Sequence, residues 1–262
     1  MTLPSAALIA AAGLHDSASP WLAPYRETAQ RIAGCARANT PLAETLNAAL
    51  LLQPAVRLQS GLLRFVPQAA LPADEAYEAF IARSACVPTR DNVHDLFNGL
   101  VWLRFPLLKR RLNELHAQQL RQAGVNATRG AVRDALTLFD ENAALWQAPA
   151  VLVDALQQRD WRALFITHRA AWRQARLTLF GHALMEKLTQ PRKAITAHVW
   201  VLPEAADVQA HLADTLTPER LAGKPHFPLP VLGVPGWWPA NEVPGFYDDA
   251  AVFRARAQTR GG

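Results

Sequence analysis

The stretch WRALFITHRAAWRQARLTLFGHALMEKL, residues 161–188, decides the fold class. Wound at about 100° per residue, it places Leu177, Phe180, Leu184 and Leu188 on one side. His168, Trp172, Leu179, His182 and Glu186 fall on the other. The spacing predicts one long helix, closed by Pro191. His182 and Glu186 are four apart, so they are neighbours on one face and can share a ligand or a hydrogen bond.

Upstream, the pattern is again helical. Pro20, Pro24, Pro41 and Pro54 punctuate helices over residues 20–58, and Pro72 opens another through Tyr77, Phe80 and Ile81. Thr89 or Asp91 is the expected cap of a helix that runs to Phe105 and stops at Pro106. Further helices are expected over 107–122, ending at Gly124, and from Thr128 or Arg129 to Leu138. Leu62–Val66 and Ile195–Leu202 read as short strands, and residues 204–214 as a helix. Residues 223–245 are too rich in Pro and Gly for regular structure, yet they carry Phe227, Trp237 and Trp238. Aromatics of that size need burial, so an ordered loop wrapping the body is expected. The fold class read here is mainly α: one domain over 1–262, with a helical body at about 20–190 and a minor β element with a long Pro/Gly/Trp-rich C-terminal loop at about 193–256.

Half of the 262 residues are hydrophobic and 19% are charged, the balance of a chain that buries a core. No run approaches the roughly 20 apolar residues of a membrane helix. The apolar first dozen residues precede any basic residue, Arg26 being the first, so they do not read as a signal peptide. Cys35 and Cys86 make no CxxC pair, which fits a reducing compartment. The cytoplasm is therefore the expected location, and the Asn126-Ala127-Thr128 sequon is then irrelevant. The net charge of +5 is modest and without a long basic run; Lys109-Arg110-Arg111 reads as a solvated face.

The unusual residues share a pattern. On residues 91–105, Val93, Leu96, Leu100 and Leu103 face one way; Asp91, His94, Asp95, Asn98 and Trp102 face the other. On the 195–202 strand, Thr196, His198 and Trp200 oppose Ile195, Ala197, Val199 and Val201, with Lys193 just before. Three elements thus show an apolar back and a His/Trp front, and the fronts are expected to converge on one pocket. Asp140-Glu141-Asn142 and Tyr247-Asp248-Asp249 are candidates for its rim. His15, His116, His211 and His226 read as surface or loop residues.

His94, Asp95, Asn98, His182, Glu186 and His198 are the candidate catalytic residues. Histidine and carboxylate together bind a divalent metal, act as acid and base near neutral pH, or satisfy each other structurally. All three uses stay open. His182 and Glu186 are the first choice as ligands or acid/base pair, with His94-Asp95 opposite. There is no HExxH, P-loop, GxGxxG or GxSxG, so nucleotide cofactors and a serine nucleophile are not indicated. The expected function is a metal-assisted or acid/base hydrolase acting on a small molecule, with a divalent metal as the candidate cofactor. The alternative is a non-catalytic module for RNA or an acidic partner, which would need its basic residues on one surface.

Four segments also carry a resemblance: Pro88–Pro106, Arg133–Asn142, Phe180–Leu188 with Lys193–His198, and Pro228–Trp238 followed by Phe246-Tyr247-Asp248-Asp249. Together they resemble the motifs of the bacterial "domain of unknown function 3025" family. The likeness extends over nearly all of the chain beyond its first forty or so residues. It implies no assigned activity and no catalytic residues.

Overall fold

A computed structural model of the chain describes residues 4–14, 19–123 and 130–255. His15, Gly124, the 126–128 sequon and the expected Thr128 or Arg129 helix start lie outside the described residues. The chain opens with α1 (Ser5–Ala11), α2 (Arg26–Cys35) and α3 (Leu42–Leu50). A hairpin of β1 (Arg57–Leu58) and β2 (Gly61–Leu62) leads to β3 (Arg64–Pro67), α4 (Tyr77–Ser84) and β4 (Cys86–Thr89). Next come α5 (Val93–Arg104), α6 (Pro106–Ala123), α7 (Ala131–Asn142), β5 (Ala143–Gln147) and α8 (Ala150–Gln158). Then follow β6 (Arg176–Leu179), α9 (His182–Lys187), β7 (Thr196–Val201), α10 (Val208–Thr215), α11 (Pro218–Ala222) and β8 (Phe227–Pro230).

The fold is mixed α/β, and the expectation of a mainly α chain is overturned by a four-stranded sheet ordered β6-β5-β7-β8. β5 lies inside it, antiparallel to β6 and parallel to β7, while β8 pairs antiparallel with β7. Every residue of β5 is buried. A buried strand needs partners for its main-chain groups on both edges, and this demand breaks the helix expected over 161–188. Residues Ala163–Thr167 form a π turn and Arg169–Gln174 a 3-10 turn. The chain then extends as β6, with Leu179 opposite Ala144 and Arg176 opposite Gln147. Only α9 keeps the helical form that the periodicity suggested. Trp172 stays in the interior, donating from Nε1 to Leu164 O at 2.8 Å.

The Pro/Gly segment is also more regular than expected. Phe227–Pro230 is the edge strand β8, with Pro228 opposite His198 and Pro230 opposite Thr196. Prolines at alternate positions of an edge strand remove donors where no neighbour needs them. Beyond β8 the aromatics pack inward: Tyr247 stacks on Phe165 at 5.0 Å between centroids, and Trp237 meets Trp21 at 6.1 Å. One apolar core runs from Leu8 to Phe253, and Trp102, Trp146, Phe139 and Phe180 are among its largest fully buried side chains.

Two local devices set the approach to α5. Asn92, rather than Thr89 or Asp91, caps it by accepting from Asp95 N at 2.7 Å. Asp91 instead reaches across the chain and accepts from Leu42 N, the first residue of α3, at 2.7 Å. Thr89 ends β4, which pairs in parallel with β3.

The turn from β6 into α9 is a close packing point. Phe180 N and Gly181 N both donate to Ala143 O at 2.9 Å. A Cβ on Gly181 would collide with the main chain of Asn142 and Glu141. Gly181→Ala is therefore expected to destabilise the fold by about 2–3 kcal/mol, the usual scale of forced overpacking. Urea denaturation at neutral pH measures it; a loss below about 0.5 kcal/mol would show that the junction can give way.

Candidate functional site

α7 runs straight into β5, so Asp140 and Glu141 stand at the last turn of a helix held by the central sheet. α9 starts beside that turn because β6 pairs with β5, and α5 packs across α9. Three elements thus bring His94, His182, Glu186, Asp140 and Glu141 to one place.

The two imidazoles meet edge to face, with ring centroids 4.6 Å apart. His94 Nδ1 lies 2.8 Å from Glu186 Oε2, and His94 Nε2 lies 3.1 Å from His182 Nε2. His182 Nε2 is also 3.5 Å from Glu141 Oε2, while its Nδ1 faces Asp140 Oδ2 at 3.7 Å. Each ring therefore has a carboxylate on its Nδ1 side. If both carry the proton on Nδ1 alone, two Nε2 lone pairs point at each other, and a metal cation or an added proton between them relieves that repulsion. If His182 instead donates from Nε2 to His94, its Nδ1 lone pair faces the Asp140 carboxylate. His182 Nδ1 is buried and makes no hydrogen bond.

His94, Glu141 and His182 each offer one ligand atom, all within 4.8 Å of one another. Two nitrogens bound tetrahedrally at about 2.0–2.1 Å from zinc would be about 3.3 Å apart, close to the 3.1 Å found here. The pattern of a carboxylate behind each ligand histidine is how proteins fix the tautomer at such centres. The donor set therefore fits a divalent cation.

The charges around it agree. Burial lowers the His182 pKa to about 4, despite Asp140 pulling it upward, so this imidazole is neutral and free to ligate near pH 7. Burial alone would raise the Asp140 carboxyl, but Lys109, and then His182, outweigh it and hold it below the ordinary carboxylate value. Glu141 is raised, first by burial and next by the charge of Asp140. It is a carboxylate pressed against another carboxylate, which a cation would relieve.

Lys109, expected on a solvated face, is buried. Its Nζ donates to Asp140 Oδ1 at 2.6 Å and to Asn98 Oδ1 at 3.0 Å, and sits 5.3 Å from the Trp102 ring centroid. Asn98 in turn donates from Nδ2 to the Tyr77 hydroxyl at 3.0 Å. Asn98 thus positions Lys109 and Tyr77 rather than joining the imidazole cluster. Asp95 is buried under Arg90, accepting from its main-chain N at 2.6 Å and from its guanidinium at 2.9 Å. It shapes the loop before α5.

His198 is not in the cluster. Asn142 Nδ2 approaches its Nδ1 at 2.7 Å and also donates to Thr196 O, on the other side of the α7–β5 junction. Its ring meets His226 edge to face at 4.6 Å. His226, read from sequence as a surface or loop residue, has both ring nitrogens buried and without a partner. The Tyr247 hydroxyl is taken up by Gly233 O and Asn241 O, and Asp249 pairs with Lys193 at 3.1 Å. That triplet serves the C-terminal segment. His116, also expected at the surface, is buried and lines the cavity beside the cluster.

The sequence marked Glu141 and Asp140 only as rim candidates and missed Lys109 and Tyr77 as partners. A readable signal existed for Glu141: it ends an apolar helix face, one residue before the short AALWQ run.

The cavity above the cluster has a volume of about 330 Å³, and His94, Asp140, Glu141 and His182 form part of its wall. Residues 63–257 of the chain match a family model described as "Protein of unknown function (DUF3025)". No curated protein and no solved structure matches the chain.

Two outcomes follow from these charges. Lys109→Met leaves Asp140 buried without its cation and is expected to cost about 3–5 kcal/mol. Adding Asp140→Asn to it should recover part of that loss in chemical denaturation, and an additive double mutant would break the assigned coupling. The second concerns acid. Burial, and then His226, lowers His198 to about 4, below its ordinary value of 6.5. The unfolded chain therefore takes up that proton first, so stability is complete above about pH 6.5 and is lost as pH falls towards 4. His198→Asn should flatten this slope in metal-free protein while leaving the share due to His182; an unchanged slope would remove His198 from the account.

Proposed function

We propose that this chain, which belongs to the DUF3025 family of proteins of unknown function, holds a divalent cation on His94, His182 and Glu141 and hydrolyses a small molecule bound in the adjoining cavity. The observation that carries the reading is the pair of Nε2 atoms turned towards each other at 3.1 Å, each ring backed by a carboxylate. Three protein ligands beside a cavity leave room for water and substrate, the arrangement of catalytic rather than structural metal sites. A cation there supplies Lewis acidity and lowers the pKa of a bound water towards neutrality.

The chain's own residues have separate tasks. Glu186 accepts from His94 Nδ1–H and aims the other nitrogen into the site. Asp140, neutralised by Lys109, faces His182 Nδ1 at 3.7 Å, beyond direct hydrogen-bond distance, and favours a proton on that nitrogen electrostatically. Asn98 and Asp95 are positioning residues, and His198 takes no part in the chemistry. This assignment keeps the two histidines and Glu186 in the machinery and adds Glu141.

The RNA-binding alternative finds less support. Arg31, Arg83, Arg90, Arg111 and Arg169 each lie within ion-pair distance of a carboxylate, which spends the charge an RNA backbone would need. Among the described residues no helix is long and apolar enough to cross a membrane.

Elemental analysis of natively purified protein tests the proposal. About one equivalent of zinc or manganese is expected, falling at least tenfold in His182→Ala and in Glu141→Gln, with both variants still folded by circular dichroism. Iron in that position would shift the reading from hydrolysis to oxidation, since a two-His, one-carboxylate set also serves non-haem iron. No metal in the native protein, even after reloading with zinc or manganese, would overturn it.

A further inference from the structure

The polar groups around the cavity are unequally matched. Arg90 is paired with Asp95, Asp140 with Lys109, and Glu78 with Asn113 Nδ2 at 2.6 Å. Three donors that line the same cavity meet no hydrogen-bond acceptor among the described residues: the Arg133 guanidinium, the His116 ring and the Tyr77 hydroxyl hydrogen. The Tyr77 oxygen already accepts from Asn98, so its hydrogen is left to point elsewhere. Burial, then the charges of Glu78, Asp95 and Asp140, keep that phenol protonated and hence a donor. Unmatched donors in a concave site, one of them a guanidinium, are the chemistry that recognises an oxyanion.

The spacing adds a dimension. Arg133 and Glu141 lie on the same helix, α7, eight residues and so about 12 Å apart along its axis. Arg133 therefore enters the cavity two turns away from the imidazole cluster.

We infer that the cavity binds a small molecule bearing a phosphate or carboxylate group, held by Arg133 with Tyr77 and His116, at a distance from the bond broken at the His94–His182–Glu141 cluster. Which bond is broken rests on the metal-centre reading; the oxyanion site does not. A substrate anchored this way has its charged end fixed by the donors and its reacting end delivered to the cluster, which confers orientation without a large apolar contact.

Calorimetric titration of inorganic phosphate, and separately of acetate, into metal-free and zinc-loaded protein tests this. At least one of the two anions should bind metal-free wild type. Arg133→Met should weaken that binding about tenfold or more, Arg133→Lys should restore part of it, and Tyr77→Phe should weaken it severalfold. The tighter of the two anions identifies the group. Equal affinity in wild type and Arg133→Met, or no binding of either anion in both metal states, would overturn the inference. Phosphate that binds only zinc-loaded protein, indifferent to Arg133, would overturn it too while leaving the metal centre intact. A wild type that takes up no metal yet binds an anion through Arg133 would sustain the oxyanion site and end the hydrolase reading.

Discussion

The carbonyl of Ala143 accepts from both Phe180 N and Gly181 N, and the candidate site hangs from that fork. Each hydrogen bond contributes only about 1 kcal/mol. Their effect is geometric. They tie the end of β6 to the point where α7 becomes β5, so α9 must begin beside Asp140 and Glu141. Gly181 lets the two main chains come that close, since any Cβ would strike Asn142. His182 is the first residue of α9, and its position follows from this contact and from little else.

Electrostatics then decide what the junction can hold. Asp140, Glu141 and Glu186 bring three carboxylates to the two histidines, and Lys109 answers one of them. A buried ammonium is costly unless its hydrogen bonds are satisfied; Asp140 and Asn98 satisfy it, and Trp102 lies beneath it. Lys109 thus stabilises the Asp140 carboxylate without filling the space between the imidazoles. Glu141 is left with a raised pKa and a neutral His182 next to it. The region has surplus electron pairs at its centre and surplus donors further out, at Arg133, Tyr77 and His116. A cation answers the first surplus and an oxyanion the second.

The clustering of some candidate residues was more legible in the sequence than the fold. His94, His182 and Glu186 stood out because titratable groups interrupted apolar periodic faces, and periodicity survives in any element that keeps its local geometry. α5 and α9 keep theirs. Lys109 was misread because a Lys-Arg-Arg run on a helix is ordinarily solvated; its burial depends on Asp140, 31 residues away in sequence. His198 shows the reverse error. Its alternation on β7 was legible, but the strand turns it to Asn142 and His226 instead of towards His94. A strand pattern tells which residues share a face and not what that face meets.

By itself the sequence determined the local events: α5 between its polar start and Pro106, the β7 alternation, the aromatic load of the C-terminal segment and the polar residues that do not belong on apolar faces. These depend on side chains a few positions apart, whose interactions any reader of the chain can enumerate. The tertiary structure decided the fold class. AALWQ carries no alternation and RLTL fits a helical period equally well, so both became strands only because each supplies the other's main-chain partners. Tertiary structure also decided which acids face which histidines, because those pairings are set by where β6 meets β5, a contact between segments far apart in sequence, as with Ala144 opposite Leu179.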